Sequence, residues 1–423
     1  MNRRDFIKVL GLAASTVSMP TALWANTPTA QRRLLLYIHA NGGWDVTSYC
    51  DPKENVEGQP IITQWSQTQQ TQFAGNIAYA PVGNNADFFG KHYQKMCVIN
   101  GFDALTVGHN SAKVVQPSGM LQASHPTISA LFAASQPEVP ALPYLSSSKY
   151  SNSVGLVQVT SLSSSFNSNL RRASDPQLNP SQTRSDRDYY KLIGDEDLAL
   201  LNKARLSKLS ALSDDSRLLL QDKNLIDRMR NFESNGQSFS QFFQTYNNLP
   251  VAPHGQDNIR IIMAAFASGQ TSAASVGFGS FDSHGNNDEK QATQLSNLNN
   301  VVDYVWTMAE SLGVSDQLTV IITSDFSRTP KYNNGNGKDH WNVGSSIVMQ
   351  NNPSWGNRVM GSTSSSHHPH KFNLSTMTRD EENGEVLTVQ HVNMAYRDVL
   401  GLNNTTHADR YNLGSITVPG IFN

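Results

Sequence analysis

The sequence predicts an α/β protein, a doubly wound and mostly parallel sheet flanked by helices, with a helical insertion. Three runs of apolar and β-branched residues, 34–39, 273–279 and 318–323, have the length of strands buried on both faces, the usual state of strands in a parallel sheet. Segments with helical periodicity, such as 257–268 and 290–312, alternate with these runs. This alternation is typical of parallel strands joined by helices.

Shorter periodic segments complete the predicted fold. Residues 96–100 and 345–349 predict two more strands. Residues 85–95, 126–134 and 389–400 predict helices that would cover the sheet. Since ligands of open α/β sheets bind outside the carboxyl ends of the strands, the candidate site is expected at that edge.

The composition indicates an exported protein without a nucleic-acid partner. Charged residues make up 16% of the 423-residue chain, below the roughly 25% of an average globular protein. The 32 Lys and Arg side chains nearly balance the 34 Asp and Glu side chains. Because no dense basic block follows the first residues, a surface for DNA or RNA is not expected.

The first 26 residues are predicted to be a twin-arginine signal peptide. Residues 2–8 read NRRDFIK, which resembles the (S/T/N)-R-R-x-F-hydrophobic-K pattern, and small residues near Ala25 suit a signal peptidase. The alternative is an uncleaved anchor, although the segment is short and rich in Ser and Thr for a membrane span. We therefore expect recognition by the twin-arginine export machinery, export in the folded state to the periplasm or beyond, and no stable membrane span after cleavage.

Residues 186–250 are predicted to be a helical insertion, or lid, within the domain of residues 27–423. Charged residues are frequent there, and Leu and Ile recur at roughly helical spacing. Coiled-coil association is the alternative, although the heptad pattern is not sustained. A lid over the sheet would shape the mouth of a cleft and thereby the choice of substrate.

Cys50 and Cys97 are the only cysteines of the chain. In an oxidising compartment the two could form one disulfide. A protein that folds before export could instead keep them as buried thiols. The sequence leaves both possibilities open.

Asp and His side chains that follow the predicted strands form the candidate metal site. They are Asp45, Asp282, His284, Asp325 and His340. A doubly wound sheet would bring them to one edge, where several carboxylates cannot all stay ionised without a cation. The pattern predicts a divalent metal, zinc or manganese, as one or two ions. The alternative is that these are unrelated turn residues.

Ser111 and Arg328 are the candidate catalytic residues. Ser111 lies in a predicted polar loop between the strand 96–100 and the helix 126–134, where a helix amino terminus could favour an anion. Thr106 and Ser118 are the further candidates for the nucleophile. Arg328 follows Asp325 closely and could hold an anionic group through paired N–H donors. A strand-capping ion pair is the alternative for Arg328.

The order of the motifs resembles a known family. GGWD at 42–45, FDSHGN at 281–286, TSDFSRTP at 323–330 and DHW at 339–341 are similar to the uncharacterised bacterial family called domain of unknown function 1501, of the alkaline phosphatase and sulfatase superfamily. The resemblance covers essentially the whole mature chain and implies an alkaline-phosphatase-like domain. It implies one ion shared by Asp45 and Asp325, and a second held by Asp282, His284 and His340.

The sequence departs from the superfamily pattern at two points. Phe326 follows Asp325 where the two-metal phosphatases have His. The middle motif, at residues 282–284, is Asp-x-His rather than Asp-x-x-x-His. A Cys/Ser-x-Pro-x-Arg motif is also absent from the sequence, which argues against a formylglycine-type sulfatase.

The resemblance and the Asp and His pattern together predict an exported metal-dependent hydrolase of phosphate or sulfate esters. Its substrate would be an anionic ester, which a metal ion would polarise while it activates water or Ser111. The alternative is a non-catalytic exported binding or assembly protein that retains the phosphatase-like fold.

Overall fold

The computed structural model describes residues 32–167, 170, 195–219, 222, 223, 226, 236–417 and 419–422. The signal peptide predicted over residues 1–26 lies outside the described residues, as do parts of the predicted insertion. Residues Leu34–Asn423 form one compact unit. Among the described helices, none combines the length and the apolar character that crossing a bilayer requires.

Within the described residues, an eight-stranded sheet forms the centre of this unit. Its strands in chain order are β1 (Leu34–Ala40), β2 (Met96–Asp103), β3 (Tyr144–Ser146), β4 (Val159–Ser161), β5 (Ala273–Phe278), β6 (Leu318–Ser324), β7 (Val343–Met349) and β8 (Arg358–Met360). They lie side by side in the order β8-β2-β7-β6-β1-β5-β3-β4. β7 is antiparallel to β2 and β6, and the other neighbouring pairs are parallel. The predicted α/β class and mostly parallel sheet are confirmed.

Helices cover both faces of the sheet. They are α1 (Asn85–His92), α2 (His109–Ser118), α3 (Ile128–Ala134), α4 (Asp195–Ser213), α5 (Gly236–Asn248), α6 (Asp257–Ala267), α7 (Asn287–Ser311), α8 (Val389–Val399) and α9 (Thr406–Arg410). One apolar core contains residues of α1, α5, α6 and α7, and a second contains residues of α2, α3, α8 and α9. The sheet lies between the two cores.

The central strand β1 illustrates why these runs form buried strands. All its residues are buried. Leu34, Leu36 and Ile38 belong to one core, whereas Leu35 and Tyr37 belong to the other. Since successive side chains of a strand point to opposite faces, a continuous apolar run is needed where both faces are covered.

Short strands lie outside the main sheet. They are the pair Gln72–Ala74 and Ile77–Tyr79, the ribbon Ser327–Arg328 with His340–Trp341, and the group Lys371–Asn373, Thr378–Arg379 and Glu385–Val386. The ribbon follows β6 and leads into β7, so it lies at the carboxyl edge of the parallel strands.

The polar loop predicted between β2 and α3 is wrong, because α2 occupies most of it. Ala112, Val115 and Gln116 are buried at helical spacing. The helix ends at Gly119, which adopts the left-handed conformation at φ 76° that favours glycine. Pro117 lies in the last turn, near the helix end.

Most of the described part of the predicted insertion is helical. α4 and α5 both fall within residues 186–250. Phe239 and Phe242 of α5 are fully buried in the core that also contains α6 and α7. The role of this region as a lid stays a prediction.

Cys50 and Cys97 are both free and buried. Burial raises the pKa of the Cys97 thiol to about 12 and that of Cys50 well above its usual range. We expect neither thiol to react with a thiol-specific reagent in the folded protein, because the reactive thiolate is suppressed and the sulfur is covered. Titration in denaturant without reductant should then detect both thiols, whereas a disulfide would leave none to detect.

Candidate metal centre at the carboxyl edge of the sheet

Asp325, directly after β6, is a fully buried carboxylate of the edge. His39 Nε2 lies 2.5 Å from Asp325 Oδ1, and His109 Nδ1 lies 2.6 Å from Asp325 Oδ2. The backbone N–H of Gly42 also donates to Oδ2, at 3.1 Å. Burial alone would raise the pKa of Asp325, but the hydrogen bonds and charges of His109 and His39 hold it well below its usual range.

Asp282, in the loop after β5, pairs with a buried arginine. Arg328 Nη2 donates to Asp282 Oδ1 at 2.7 Å. The guanidinium is fully buried and also donates to the carbonyls of Gly42, Gly43 and Lys338. Burial opposes the ionised form of Asp282, yet Arg328 lowers its pKa. Holding a substrate anion stays a prediction for Arg328, and its guanidinium would have to leave these partners to do so.

Asp45, in the loop after β1, forms an ion pair that excludes solvent. Lys338 Nζ lies 2.7 Å from Asp45 Oδ2, and both side chains are 0% exposed. Asn287 Nδ2 and Thr47 Oγ1 donate to the same carboxylate at 2.8 and 2.6 Å. Burial would raise the pKa of Asp45, but Lys338 keeps it below its usual value. Asp45 is thus neutralised by an ammonium group of the chain itself.

Three side chains converge where a metal ion could be held. One nitrogen or oxygen atom from each of His109, Asp282 and His340 lies within 4.8 Å of the other two. His284 lies beside them, with Nε2 3.0 Å from His340 Nε2 and 3.1 Å from Asp282 Oδ1. The structure therefore brings Asp282, His284 and His340 together and adds His109. Among the described residues, this candidate metal group contains neither Asp45 nor Asp325.

The three histidines of this site share one hydrogen-bonding arrangement. Each Nδ1 lies within 2.6–2.8 Å of an oxygen acceptor, which assigns the N–H to Nδ1 and leaves a lone pair on Nε2. The pairs are His109 with Asp325, His284 with Asp339, and His340 with the carbonyl of Val107. Metal-binding histidines are commonly oriented in this way by carboxylates and carbonyls.

The donor set fits a divalent ion. His109 Nε2 is buried and has no hydrogen-bond partner among the described residues. Burial lowers the pKa of His340, and Arg328 and His109 lower it further, which favours the neutral imidazole. If both imidazoles are neutral with Nε2 unprotonated, their lone pairs, 3.0 Å apart, repel each other, and a metal ion bound to both would remove that repulsion. Imidazole nitrogens with one carboxylate oxygen suit zinc and related transition metals.

The site opens to solvent on one side. The side chains of Asp282 and His284 are 40% and 50% exposed. The opposite side is closed by Phe326, which is fully buried and whose ring centroid lies 5.1 Å from that of His109 and 4.6 Å from that of His340. Water or a ligand could therefore approach an ion held here from the side of Asp282 and His284.

Ser111 lies away from this centre by helix geometry. It is exposed on α2, two residues after His109, and residues two apart on a helix do not face each other. Ser118 Oγ donates to the Val114 carbonyl at 2.6 Å, and Thr106 Oγ1 accepts from the Gly108 N–H. The nucleophilic role of Ser111 stays a prediction that no described contact supports.

Sequence reasoning missed three residues of the edge. The sequence places His39 at the end of a buried strand. A polar residue in that apolar run is the one local sign of a functional role. His109 follows a glycine at the start of α2, a helix that the sequence did not predict. Lys338 lies in the Asn- and Gly-rich loop before His340, and its partner Asp45 is 293 residues away in the sequence.

Comparisons with known proteins agree with the motif order. The profile of a family described as "Protein of unknown function (DUF1501)" matches residues 32–364. No curated protein shows significant sequence similarity to the chain.

Among the solved structures with a detectable likeness are a sulfatase, a phosphonate monoester hydrolase and an alkaline phosphatase. A PsFucS1 sulfatase from Pseudoalteromonas sp. has 9% identity and a TM-score of 0.35, over 88% of this chain and 68% of that one. A phosphonate monoester hydrolase of Agrobacterium radiobacter has 11% identity and a TM-score of 0.31, over 88% of this chain and 74% of that one. The TAB5 alkaline phosphatase has 8% identity and a TM-score of 0.31, over 78% of this chain and 94% of that one. Identities and TM-scores this low carry no conclusion about the chemistry of this chain.

The Asp45–Lys338 pair gives a stability prediction. Replacing Lys338 by Met should lower the free energy of unfolding by about 3–5 kcal/mol, because a buried carboxylate is left without its cation. The double variant Asp45→Asn/Lys338→Met should recover much of this loss. Denaturant unfolding measures all three proteins, with Lys331→Met, an exposed lysine of the same loop, as the control expected within about 0.5 kcal/mol of wild type. A double variant as unstable as the single one would contradict the pairing.

Proposed function

The chain belongs to the DUF1501 family, described as a protein of unknown function, and on that premise we propose that it is a metal-dependent hydrolase of phosphate or sulfate esters. His109, Asp282 and His340 hold one divalent ion, and His284 is the fourth donor. The reaction class follows from the resemblance of the motifs to the alkaline phosphatase and sulfatase superfamily. The ligand set follows from the contacts of this chain.

One observation carries the proposal. The Nε2 atoms of three imidazoles carry lone pairs and surround the Asp282 carboxylate, while each Nδ1 is occupied by an oxygen acceptor. Without a cation, a proton or a donor molecule among them, these lone pairs and the carboxylate repel each other. A divalent cation removes that repulsion, which supports metal binding over an arrangement of unrelated turn residues.

When bound, a divalent ion would polarise the ester and lower the pKa of a water molecule. The water oxygen forms a bond to phosphorus or sulfur as the bond from that atom to the ester oxygen breaks. The leaving alcohol takes one proton and the other passes to solvent. Arg328 keeps Asp282 ionised in its place, and Asp325 fixes the ring of His109 through Nδ1.

The contacts support one ion rather than two. The resemblance assigns a second ion to Asp45 and Asp325. Here Lys338 neutralises Asp45, and His39 and His109 satisfy the two oxygens of Asp325. A second ion would have to displace these partners, at the cost of leaving buried groups unpaired.

The cell compartment is part of the same proposal. The NRRDFIK leader supports export by the twin-arginine machinery, which accepts folded proteins. Because His109 and His340 lie in segments that meet only in the folded chain, folding before export would let the ion bind in the cytoplasm. The periplasm or the cell exterior is then where an anionic ester would be met.

A second function, binding without turnover, has one observation in its favour. The guanidinium of Arg328 is fully buried and hydrogen-bonded, so it is not exposed to a substrate anion. A protein that retains the fold and one ion could therefore serve as an exported binding or assembly factor. Turnover of an ester distinguishes the two functions.

Metal content and ester hydrolysis test the proposal together. We expect about one equivalent of zinc or manganese in protein purified without chelators, by elemental mass spectrometry, and hydrolysis of some member of a panel of phosphate and sulfate esters. His109→Ala and Asp282→Ala should lose both properties, because each removes a donor. Ser111→Ala is the matched control on the same helix and should retain both.

The outcomes separate the two functions. A wild-type protein that binds the ion but hydrolyses none of the esters would favour the binding protein. Wild-type protein without metal, after supply of zinc and manganese, would refute both the ligand set and the hydrolase. Loss of activity in Ser111→Ala with metal retained would return the nucleophilic role to Ser111.

A further inference from the structure

Asn333, in the loop before His340, uses its whole side-chain amide. Oδ1 accepts from the N–H groups of Gly335 and Gly337, at 2.9 and 3.0 Å. Nδ2 donates to the carbonyl of His284 at 3.1 Å and to Asp339 Oδ1 at 3.2 Å. An amide offers two acceptor and two donor positions, so all four are occupied.

We propose that Asn333 and Gly337 are positioning residues for the metal centre, through His284. The side chain of Asn333 does not bind the donor atoms of the centre, and Gly337 acts through its backbone. Asn333 fixes the backbone of His284 and the carboxylate that binds the His284 ring. Gly337 lets the loop approach His284 closely. This inference rests on the proposed metal site and adds the residues that hold its fourth donor in place.

Asp339 shows why the hydrogen bond from Asn333 matters. Asp339 Oδ1 lies 2.8 Å from His284 Nδ1, and its side chain is 58% exposed. An exposed carboxylate can rotate into water at little cost, because water solvates it well. The N–H of Asn333 holds the same oxygen, so it restricts that rotation. His284 thereby keeps its Nε2 directed toward Asp282 and His340.

Gly337 determines how closely the loop packs on His284. A Cβ atom at Gly337 would lie 2.0 Å from the carbonyl carbon of His284 and 2.4 Å from the nitrogen of Gly285. Both are backbone atoms, so the loop would have to move away. A Cβ at Gly335 would meet its nearest atoms, Asn333 Oδ1 and the His284 carbonyl oxygen, at 3.5 and 3.6 Å, which is ordinary contact.

Backbone hydrogen bonds continue this contact along the chain. The N–H of Asn286 donates to the Gly335 carbonyl at 3.2 Å, and that of Asn287 to the Asn336 carbonyl at 2.9 Å. Gly285 and Asn336 form an antiparallel bridge. The loop is therefore aligned with the segment that carries His284, and a displacement at Gly337 would be transmitted to that histidine.

Two matched pairs of variants test the inference by metal affinity. Asn333→Asp keeps the size of the side chain, loses both donors and adds a negative charge beside Asp339. Asn334→Asp makes the same change at the exposed neighbour. Gly337→Ala and Gly335→Ala form the second pair. Affinity is measured by Co(II) titration of metal-free protein, followed by visible absorption, with the melting temperature of the metal-free protein recorded alongside.

We expect Asn333→Asp and Gly337→Ala to bind Co(II) about 10–100-fold more weakly, the usual effect of losing a group that orients a ligand. The Asn334→Asp and Gly335→Ala controls should bind as wild type. The absorption spectrum should also change in the first two, because the His284 donor is displaced. Asn333→Asp decides the question if Gly337→Ala does not fold.

Unchanged affinity and spectrum in Asn333→Asp would overturn the inference, as would equal losses in its Asn334→Asp control. Failure of the proposed hydrolase has a different signature. In that case wild-type protein turns over no ester, while the variants still separate by affinity. Wild-type protein that binds no Co(II) would overturn the inference and the metal site together.

Discussion

The buried carboxylate of Asp325 is the constraint on which the carboxyl edge depends. It follows β6 and is bound by His39 at the end of β1 and by His109 at the start of α2. A buried carboxylate is costly unless it is paired and hydrogen-bonded, so the three segments must meet at this point. The same contact orients the ring of His109 and directs its Nε2 to the candidate metal centre. The orientation of His109 is thus a consequence of the buried charge of Asp325, which has to be paired.

Two other buried charges of the edge, those of Asp45 and Arg328, obey the same constraint. Asp45 is paired with Lys338, and Asp282 with Arg328. Both cations come from the chain that follows β6, which also carries Asp325 and His340. Buried ion pairs contribute little net stability, but removing one partner is expensive. These pairs therefore fix the path of this stretch against the loops after β1 and β5 more than they raise the stability of the fold.

The fold class could be predicted from the sequence because continuous apolar runs such as β1 and β6 have few alternatives. Strand ends then indicated where Asp282, His284 and His340 would lie. His109 could not be found in this way, since α2 has a short apolar face and its first residue is polar. The pairing of Lys338 with Asp45 was equally invisible, because it joins positions 293 residues apart and local patterns carry no information on such contacts.

Phe326 shows how the chain can differ from the pattern that the resemblance implies and still bring metal-binding side chains together. The resemblance implies a histidine at this position, as a ligand beside Asp325. Phe326 instead packs against the rings of His109 and His340 and is fully buried. A buried histidine there would need partners for both nitrogens, whereas a phenyl ring needs none. His109, at the start of α2, instead places an imidazole beside Asp325. Phe326 forms an apolar wall behind the candidate donors and leaves the side of Asp282 open to water.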